Sequence, residues 1–309
     1  MKFFKPKFWD YKKISFWSIS LFPFTLIIRL LASFKYLITK TQRFSIPVIC
    51  VGNIYLGGTG KTPFCIKLFH ILKNLKKNPA FIRKEYQSFE DEVSLLKQIG
   101  EVYKDKKRSN AISNAINDGK DVVILDDGFQ DFSIYKKLSI VCFDESQWIG
   151  NGLTIPSGPL REQLSALKRA EIVIINGEKN KNIENKILEK NKNLKIFYTT
   201  HNMINVNGFT NSNIIAFAGI GNPKNFFDLL NKNNITIKKK ISFPDHHKYT
   251  SKDLDSLINT AKINNSILLT TEKDYIKISK KYKENIFCIK ILTKIENESR
   301  LIETIKNFI

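Results

Sequence analysis

Ile46-Pro-Val-Ile-Cys-Val51 runs straight into Gly52-Asn-Ile-Tyr-Leu-Gly57-Gly58-Thr59-Gly60-Lys61-Thr62-Pro63, and this stretch decides the fold. Its first six residues are apolar and mostly β-branched, the pattern of a short buried strand. Residues 63–74 suit a helix, and Pro63 stands where a first helical turn tolerates a missing N–H. Strand, glycine loop, Lys-Thr and helix form the P-loop order. Glycines there let backbone N–H groups close around phosphate oxygens at a helix N-terminus. Gly57, Gly58, Thr59, Gly60, Lys61 and Thr62 are therefore the expected nucleotide-binding residues. Lys61 would neutralise the β- and γ-phosphates of ATP, and the Thr62 hydroxyl would ligate Mg²⁺. The strict pattern wants a glycine five residues before Gly60. Tyr55 stands there, so the loop is a variant.

Residues 121–125, Asp-Val-Val-Ile-Leu, read as a second strand that delivers Asp126-Asp127-Gly128-Phe129-Gln130. An apolar strand ending in a carboxylate beside a P-loop is the arrangement that holds Mg²⁺ or its water. Two adjacent aspartates repel unless a cation sits with them. Farther on, residues 150–162 (Gly-Asn-Gly-Leu-Thr-Ile-Pro-Ser-Gly-Pro-Leu-Arg-Glu) mark a shaped loop. Arg161 is a candidate phosphate clamp and Glu162 a candidate Mg²⁺ ligand or orienting carboxylate.

The frame around these motifs is a chain of 309 residues with a net charge of +21. That length suits two domains. With 42% hydrophobic and 26% charged residues, each has material for a core, which excludes a mainly disordered or fibrous chain. The charge implies an anionic partner. Residues 1–45 carry nine basic residues and one acid, Asp10, around fifteen uncharged residues from Ile14 to Ile28. A spanning helix needs about 20 apolar residues, and Arg29, Lys35 and Pro23 interrupt this one. No small-residue cleavage site follows it. A membrane-associated amphipathic helix is the expectation, with a core helix as the alternative. Because the segment precedes the first sheet strand, its removal is expected to spare ATP binding. Cys50, Cys65, Cys142 and Cys288 show no CxxC pair and read as buried free thiols.

The ordered set VGN, GGTGKTP, Asp91-Glu92, LDDGFQ, GNG-x₃-P-x-GPLRE, FAGIGNP (217–223), FPDHH-x-YT (243–250) and LLTTEKD (268–274) resembles the tetraacyldisaccharide 4'-kinase family of lipid A biosynthesis over about residues 45–280. The resemblance implies transfer of the γ-phosphate of ATP to the 4'-hydroxyl of a lipid disaccharide 1-phosphate, at the cytoplasmic face of the bacterial inner membrane. It places P-loop roles on residues 57–62 and metal roles on Thr62, Asp126, Asp127 and Glu162, with Asp127 favoured over Asp126. It places catalytic roles on Lys61, Arg161, Asp91 and its partner His246. Three features depart from the family. Its Arg-Gly-Tyr-Gly stretch stands here as Arg83-Lys84-Glu85-Tyr86, the span from Lys61 to Asp91 is short, and Asp131 replaces a histidine.

The remainder reads as alternating elements: strands at 214–218, 235–243, 266–270 and 286–291, helices at 223–230 and 251–262, and a final helix to residue 309. Alternation of this kind implies parallel α/β sheets. The expected organisation is a membrane-associated segment over 1–44, a P-loop NTPase-like parallel-sheet domain over 45–207 and a smaller α/β domain over 208–309. Asp91 and His246 would then come from different domains and meet when a cleft closes. His201 is expected in a polar loop, and His247 to point away from its neighbour. Thr271-Glu-Lys-Asp274 reads as a helix cap, with base recognition as the alternative. A P-loop ATPase switch would share the P-loop and the aspartate strand but needs neither His246 nor the 150–162 loop. A nucleic-acid module would need stacking platforms or a recognition helix, and neither is evident. ATP and Mg²⁺ are the expected ligands, with no nucleic acid and no obligate protein partner.

Overall fold

The computed structural model describes residues 5–11, 13–85, 90–204, 208–209 and 212–309. Residues 1–4 and Lys12 of the N-terminal segment, Tyr86, and the expected boundary at 207 lie outside the described residues.

Among the described residues, twelve strands form two sheets. They are β1 (Val48–Gly52), β2 (Pro79–Lys84), β3 (Val102–Asp105), β4 (Val122–Asp126), β5 (Leu138–Asp144), β6 (Ile172–Asn176) and β7 (Lys195–Met203), then β8 (Ile214–Ala218), β9 (Ile237–Ser242), β10 (Ile267–Thr271), β11 (Phe287–Ile289) and β12 (Ile291–Ile295). The helices are α1 (Phe16–Ser20), α2 (Phe22–Ile38), α3 (Lys61–Asn74), α4 (Glu90–Lys97), α5 (Arg108–Asn117), α6 (Lys181–Leu188), α7 (Pro223–Lys232), α8 (Ser251–Ile263), α9 (Glu272–Ile276) and α10 (Glu298–Lys306).

The chain divides into two compact units, residues 5–85, 100–200 and 295–309 in the larger, and the described residues of 86–99 and 201–294 in the smaller. Strands β1 to β7 run in the order β3-β2-β4-β1-β5-β6-β7, every pair parallel, with β12 beside β7. Residues Val48 to Gly52 and Val122 to Asp126 are buried throughout, as their continuous apolar runs require of central parallel strands. β1 lies between β4 and β5, where the chain order along the sheet reverses. The carboxyl ends of strands at such a switch point form the ligand crevice of open α/β sheets. In the smaller unit the order β11-β10-β8-β9 is likewise all parallel.

Four expectations are corrected. Residues 286–291 are not one strand: β11 joins the four-stranded sheet, Lys290 interrupts, and β12 joins the eight-stranded one. The apolar run is unbroken enough to hide that break. Asp91 does not belong with the P-loop unit. Helix α4 packs on α9, so Asp91 shares the smaller unit with His246. Conversely α10 returns to the larger unit, where Lys67 pairs with Glu298 at 2.8 Å. His201 lies in β7 rather than a loop.

Candidate active site

In the larger unit the P-loop leaves β1 and enters α3, which begins at Lys61. Gly60 caps that helix at φ +80°, a left-handed conformation that glycine adopts without penalty. Asn53, which sequence reasoning passed over, braces the loop from within. Its buried Nδ2 donates to the carbonyls of Tyr55 (2.6 Å) and Gly57 (3.3 Å) and to Thr59 Oγ1 (3.1 Å). Tyr55 explains why the loop is a variant. Its ring is buried and its hydroxyl meets Asp10 and Lys5 of the N-terminal segment.

The 150–162 loop is joined to the start of the P-loop by backbone. Leu56 N–H donates to Pro159 O (2.8 Å) and Arg161 N–H to Ile54 O (2.7 Å). Arg161 is thereby delivered to the aspartate strand, where it bonds Asp127 Oδ1 at 2.8 Å; Lys61 Nζ lies 3.6 Å from the same oxygen. Lys61, Arg161 and Asp127 therefore converge. Asp127 sits at φ +59°, a strained setting for a residue other than glycine and one that functional sites tolerate. Arg108 holds it there, donating to the Asp127 carbonyl (2.8 Å) and to Asp131 Oδ2 (2.9 Å). Asp131, in place of the family histidine, is thus the counter-charge of the arginine that grips the Asp127 backbone.

The repulsion expected between Asp126 and Asp127 is relieved by the protein's own cations, different ones for each carboxylate. Asp126 bonds the buried Arg83 at 2.9 Å. Arg83→Met would strand Asp126 in the core without that partner. Breaking a buried pair this way costs about 3–5 kcal/mol, so urea unfolding of the variant should show a loss of that size.

Glu162 accepts from Arg169 (2.7 Å) and Gln130 (2.9 Å). Among the described residues no group of three or more His, Cys, Asp or Glu side chains forms a ready metal cage. Mg²⁺ characteristically takes one or two carboxylates plus substrate phosphates. The Asp127 carboxylate and the Thr62 hydroxyl are hard oxygen donors of the right chemistry. Cysteine ligation is disfavoured, because burial pushes Cys50 and Cys142 up to about 12. Cys65 is also buried, whereas Cys288 is only half-buried, a correction to the expectation for all four.

The smaller unit holds a second constellation. His246 Nδ1 lies 3.0 Å from both carboxylate oxygens of Asp91, which is 6% exposed. Burial alone would raise the Asp91 carboxyl. The His246 hydrogen bond and the Lys273 charge outweigh it and hold Asp91 below its ordinary range. Lys273 Nζ lies 3.0 Å from Glu92, 3.3 Å from Asp245 and 3.9 Å from Asp91. His246 also occupies left-handed backbone, at φ +56°. The motifs around it explain how. Asp274, fully buried, accepts from Gly219 N–H (3.0 Å), Tyr249 Oη (3.0 Å) and Thr271 Oγ1 (2.8 Å), and Gly219 O in turn receives the His246 N–H at 3.2 Å. Thr271 caps α9, so the capping reading of Thr271-Glu-Lys-Asp274 holds. Lys273 of that motif, to which sequence reasoning gave no role, reaches the Asp91–His246 pair. His247 points elsewhere, to Asp253 at 3.0 Å.

The N-terminal segment grips the 150–162 loop. Thr25 Oγ1 bonds Ser157 Oγ (2.8 Å), Trp9 Nε1 donates to Pro156 O (3.0 Å), and Asn151 N–H donates to Trp9 O (2.8 Å). Apart from Thr25 and its neighbours, α2 is uncovered. Phe16, Trp17, Leu30, Leu31, Phe34 and Leu37 are 63–79% exposed. No described helix is long and apolar enough to cross a membrane.

Comparison with known proteins matches residues 17–309 to the family model of LpxK, tetraacyldisaccharide-1-P 4'-kinase. The tetraacyldisaccharide 4'-kinase of Pelagibacter ubique is 42% identical over 97% of this chain and 96% of its own length. That of Rickettsia bellii is 32% identical over 99% of this chain and 98% of its own. Among solved structures, LpxK from Aquifex aeolicus in complex with ATP is 26% identical and superposes with a TM-score of 0.72, covering 94% of this chain and 99% of that one.

Proposed function

Because the chain belongs to the tetraacyldisaccharide 4'-kinase family, we propose that it transfers the γ-phosphate of ATP to the 4'-hydroxyl of a tetraacyldisaccharide 1-phosphate, a lipid A precursor. The observation that carries the reading is the convergence of Lys61 and Arg161 on Asp127 at the end of β4. Phosphoryl transfer needs positioned charge more than covalent chemistry. Lys61 and the P-loop N–H groups bind the β- and γ-phosphates. Arg161 spreads the charge that develops on the transferred group, and Asp127 orients both cations until nucleotide arrives. Mg²⁺, when bound, adds charge neutralisation between the phosphates, and Asp127 and Thr62 are the residues that would hold it. Asp126 and Glu162 support the site through Arg83 and Arg169. Asp91, oriented by His246, accepts the proton of the sugar hydroxyl, a role for which its ionised state at neutral pH suits it.

The lipid acceptor fits the uncovered apolar surface of α1 and α2, with Lys13, Arg29 and Lys35 beside it. We place the protein peripherally on the cytoplasmic face of the bacterial inner membrane, held by that surface and by anionic headgroups. ATP turnover measured with and without a disaccharide 1-phosphate lipid tests the function. Turnover should require the lipid; lipid-independent hydrolysis would favour an ATPase switch.

Deleting the segment is a poor test of the membrane role. Trp9, Ser18 and Thr25 are buried against the loop that carries Arg161, so the deletion should also weaken ATP binding, contrary to the expectation from sequence position. Replacing Trp17, Leu30 and Leu31 with Ser leaves those anchors in place. That variant should lose sedimentation with anionic vesicles and keep its ATP affinity. Unchanged sedimentation would place the membrane contact elsewhere.

A further inference from the structure

We propose that Lys273 is a positioning residue for the acceptor pair: its ammonium donates to His246 Nε2, which fixes the imidazole as the neutral Nδ1–H form and aims that N–H at Asp91. The inference rests on the reading of Asp91 and His246 as the pair that receives the hydroxyl proton.

Lys273 Nζ stands 3.4 Å from His246 Nε2. An ammonium has three donors and no acceptor, so Nε2 must accept, and it carries no proton. The ring's single proton then sits on Nδ1, which faces both Asp91 oxygens at 3.0 Å. Glu92 Oε1 at 3.8 Å and Asp245 Oδ2 at 3.7 Å stand beyond direct hydrogen-bond distance of Nε2. Lys277 approaches Asp91 at 3.8 Å and is itself held by Asp274 at 2.6 Å.

Lys273 is built to remain a cation in this place. Burial works against its charge, but Glu92, Asp245 and Asp91 outweigh burial and hold the ammonium above its ordinary range. Two of those carboxylates also pin its position, Glu92 at 3.0 Å and Asp245 at 3.3 Å. The three elements converge from separate parts of the chain: Asp91 and Glu92 from α4, Asp245 and His246 from the loop after β9, Lys273 from α9. Without the ammonium, Nε2 would face the carboxylates of Glu92 and Asp245, while Lys277 stays on the Asp91 side, held by Asp274. The ring would take a second proton, and an imidazolium would bind Asp91 as an ion pair. A carboxylate so engaged is a weaker proton acceptor. The Lys273 charge also lowers the Asp91 carboxyl, but from 3.9 Å, whereas an imidazolium would do so in direct contact at 3.0 Å; Lys273 thus keeps Asp91 oriented by a neutral N–H.

The test reads the histidine directly, in the full-length protein without nucleotide. Two-bond ¹H–¹⁵N correlation spectra near neutral pH distinguish ring nitrogens that carry a proton from those that do not. The His246 signals are assigned by their loss in His246→Ala. The wild type should show protonated Nδ1 and bare Nε2. Lys273→Met should protonate Nε2 and lower kcat about ten- to a hundredfold with the KM for ATP unchanged. Lys273→Arg, which keeps a donor at Nε2, should retain the wild-type pattern. A wild-type spectrum with Nε2 protonated overturns the proposal, whether or not the Met variant folds. So does a folded Lys273→Met protein with the pattern intact. The base assignment fails separately: an active Asp91→Asn enzyme would refute it while leaving the Lys273-dependent pattern standing.

Discussion

Lys61→Ala is expected to reduce kcat for lipid phosphorylation by about a hundredfold to a thousandfold or more, with the protein still folded. Removing one preorganised group that meets developing charge typically has that effect. Lys61 opens α3, and its ammonium lies 3.6 Å from Asp127, beside the arginine that shares that carboxylate. With Lys61 gone, Arg161 remains 2.8 Å from Asp127, so the local backbone and the 150–162 loop keep their anchors. The loss should therefore appear in turnover and ATP affinity and not in the unfolding midpoint. Near-normal kcat in this variant would refute the assignment of residues 57–62 as the phosphate cradle. A large fall in unfolding midpoint would show instead that Lys61 serves the fold.

Asp91→Asn should have the second large effect. Losing a general base typically costs about a hundredfold to ten-thousandfold in rate. Asparagine keeps the shape and a hydrogen bond to His246 but cannot take a proton. ATP binding should be untouched, because the proposed partner of Asp91 is the acceptor hydroxyl and not the nucleotide. His246→Ala should also lower kcat, by removing the N–H that orients the carboxylate. Since the two side chains already meet at 3.0 Å within one unit, no closure is needed to form the pair. They should act as one device, so the double variant should be scarcely worse than the worse single. Multiplicative losses would argue that each contributes alone. If Asp91→Asn stays active, Glu92 is the next acid to examine on α4.

Much of the candidate phosphate site was legible in the sequence because it is local. A P-loop needs a buried strand, glycines free to adopt left-handed backbone and a lysine at the helix start, all within about fifteen residues. Val48 to Lys61 meet those needs in order, and the Gly60 conformation follows from its lack of a side chain. The aspartate strand and the Arg-Glu loop are equally local signals. The position of Asp91 and its partner His246 came from family motifs, since nothing nearby in sequence joins residues 155 positions apart.

Tertiary structure alone decided which charges meet. That Arg83 neutralises Asp126, that Arg108 and Asp131 hold the Asp127 backbone, and that Lys273 faces His246 depend on strand order and helix packing. Each of these residues is an ordinary charged side chain in its own neighbourhood. The same holds for α4, which lies between P-loop elements in sequence and joins the smaller unit through ion pairs with Lys273 and Lys277. A sequence shows where charge stands along a chain. Only folding brings it within a few ångströms of an opposite charge in a buried setting, where it is strong enough to set a side chain's place and protonation.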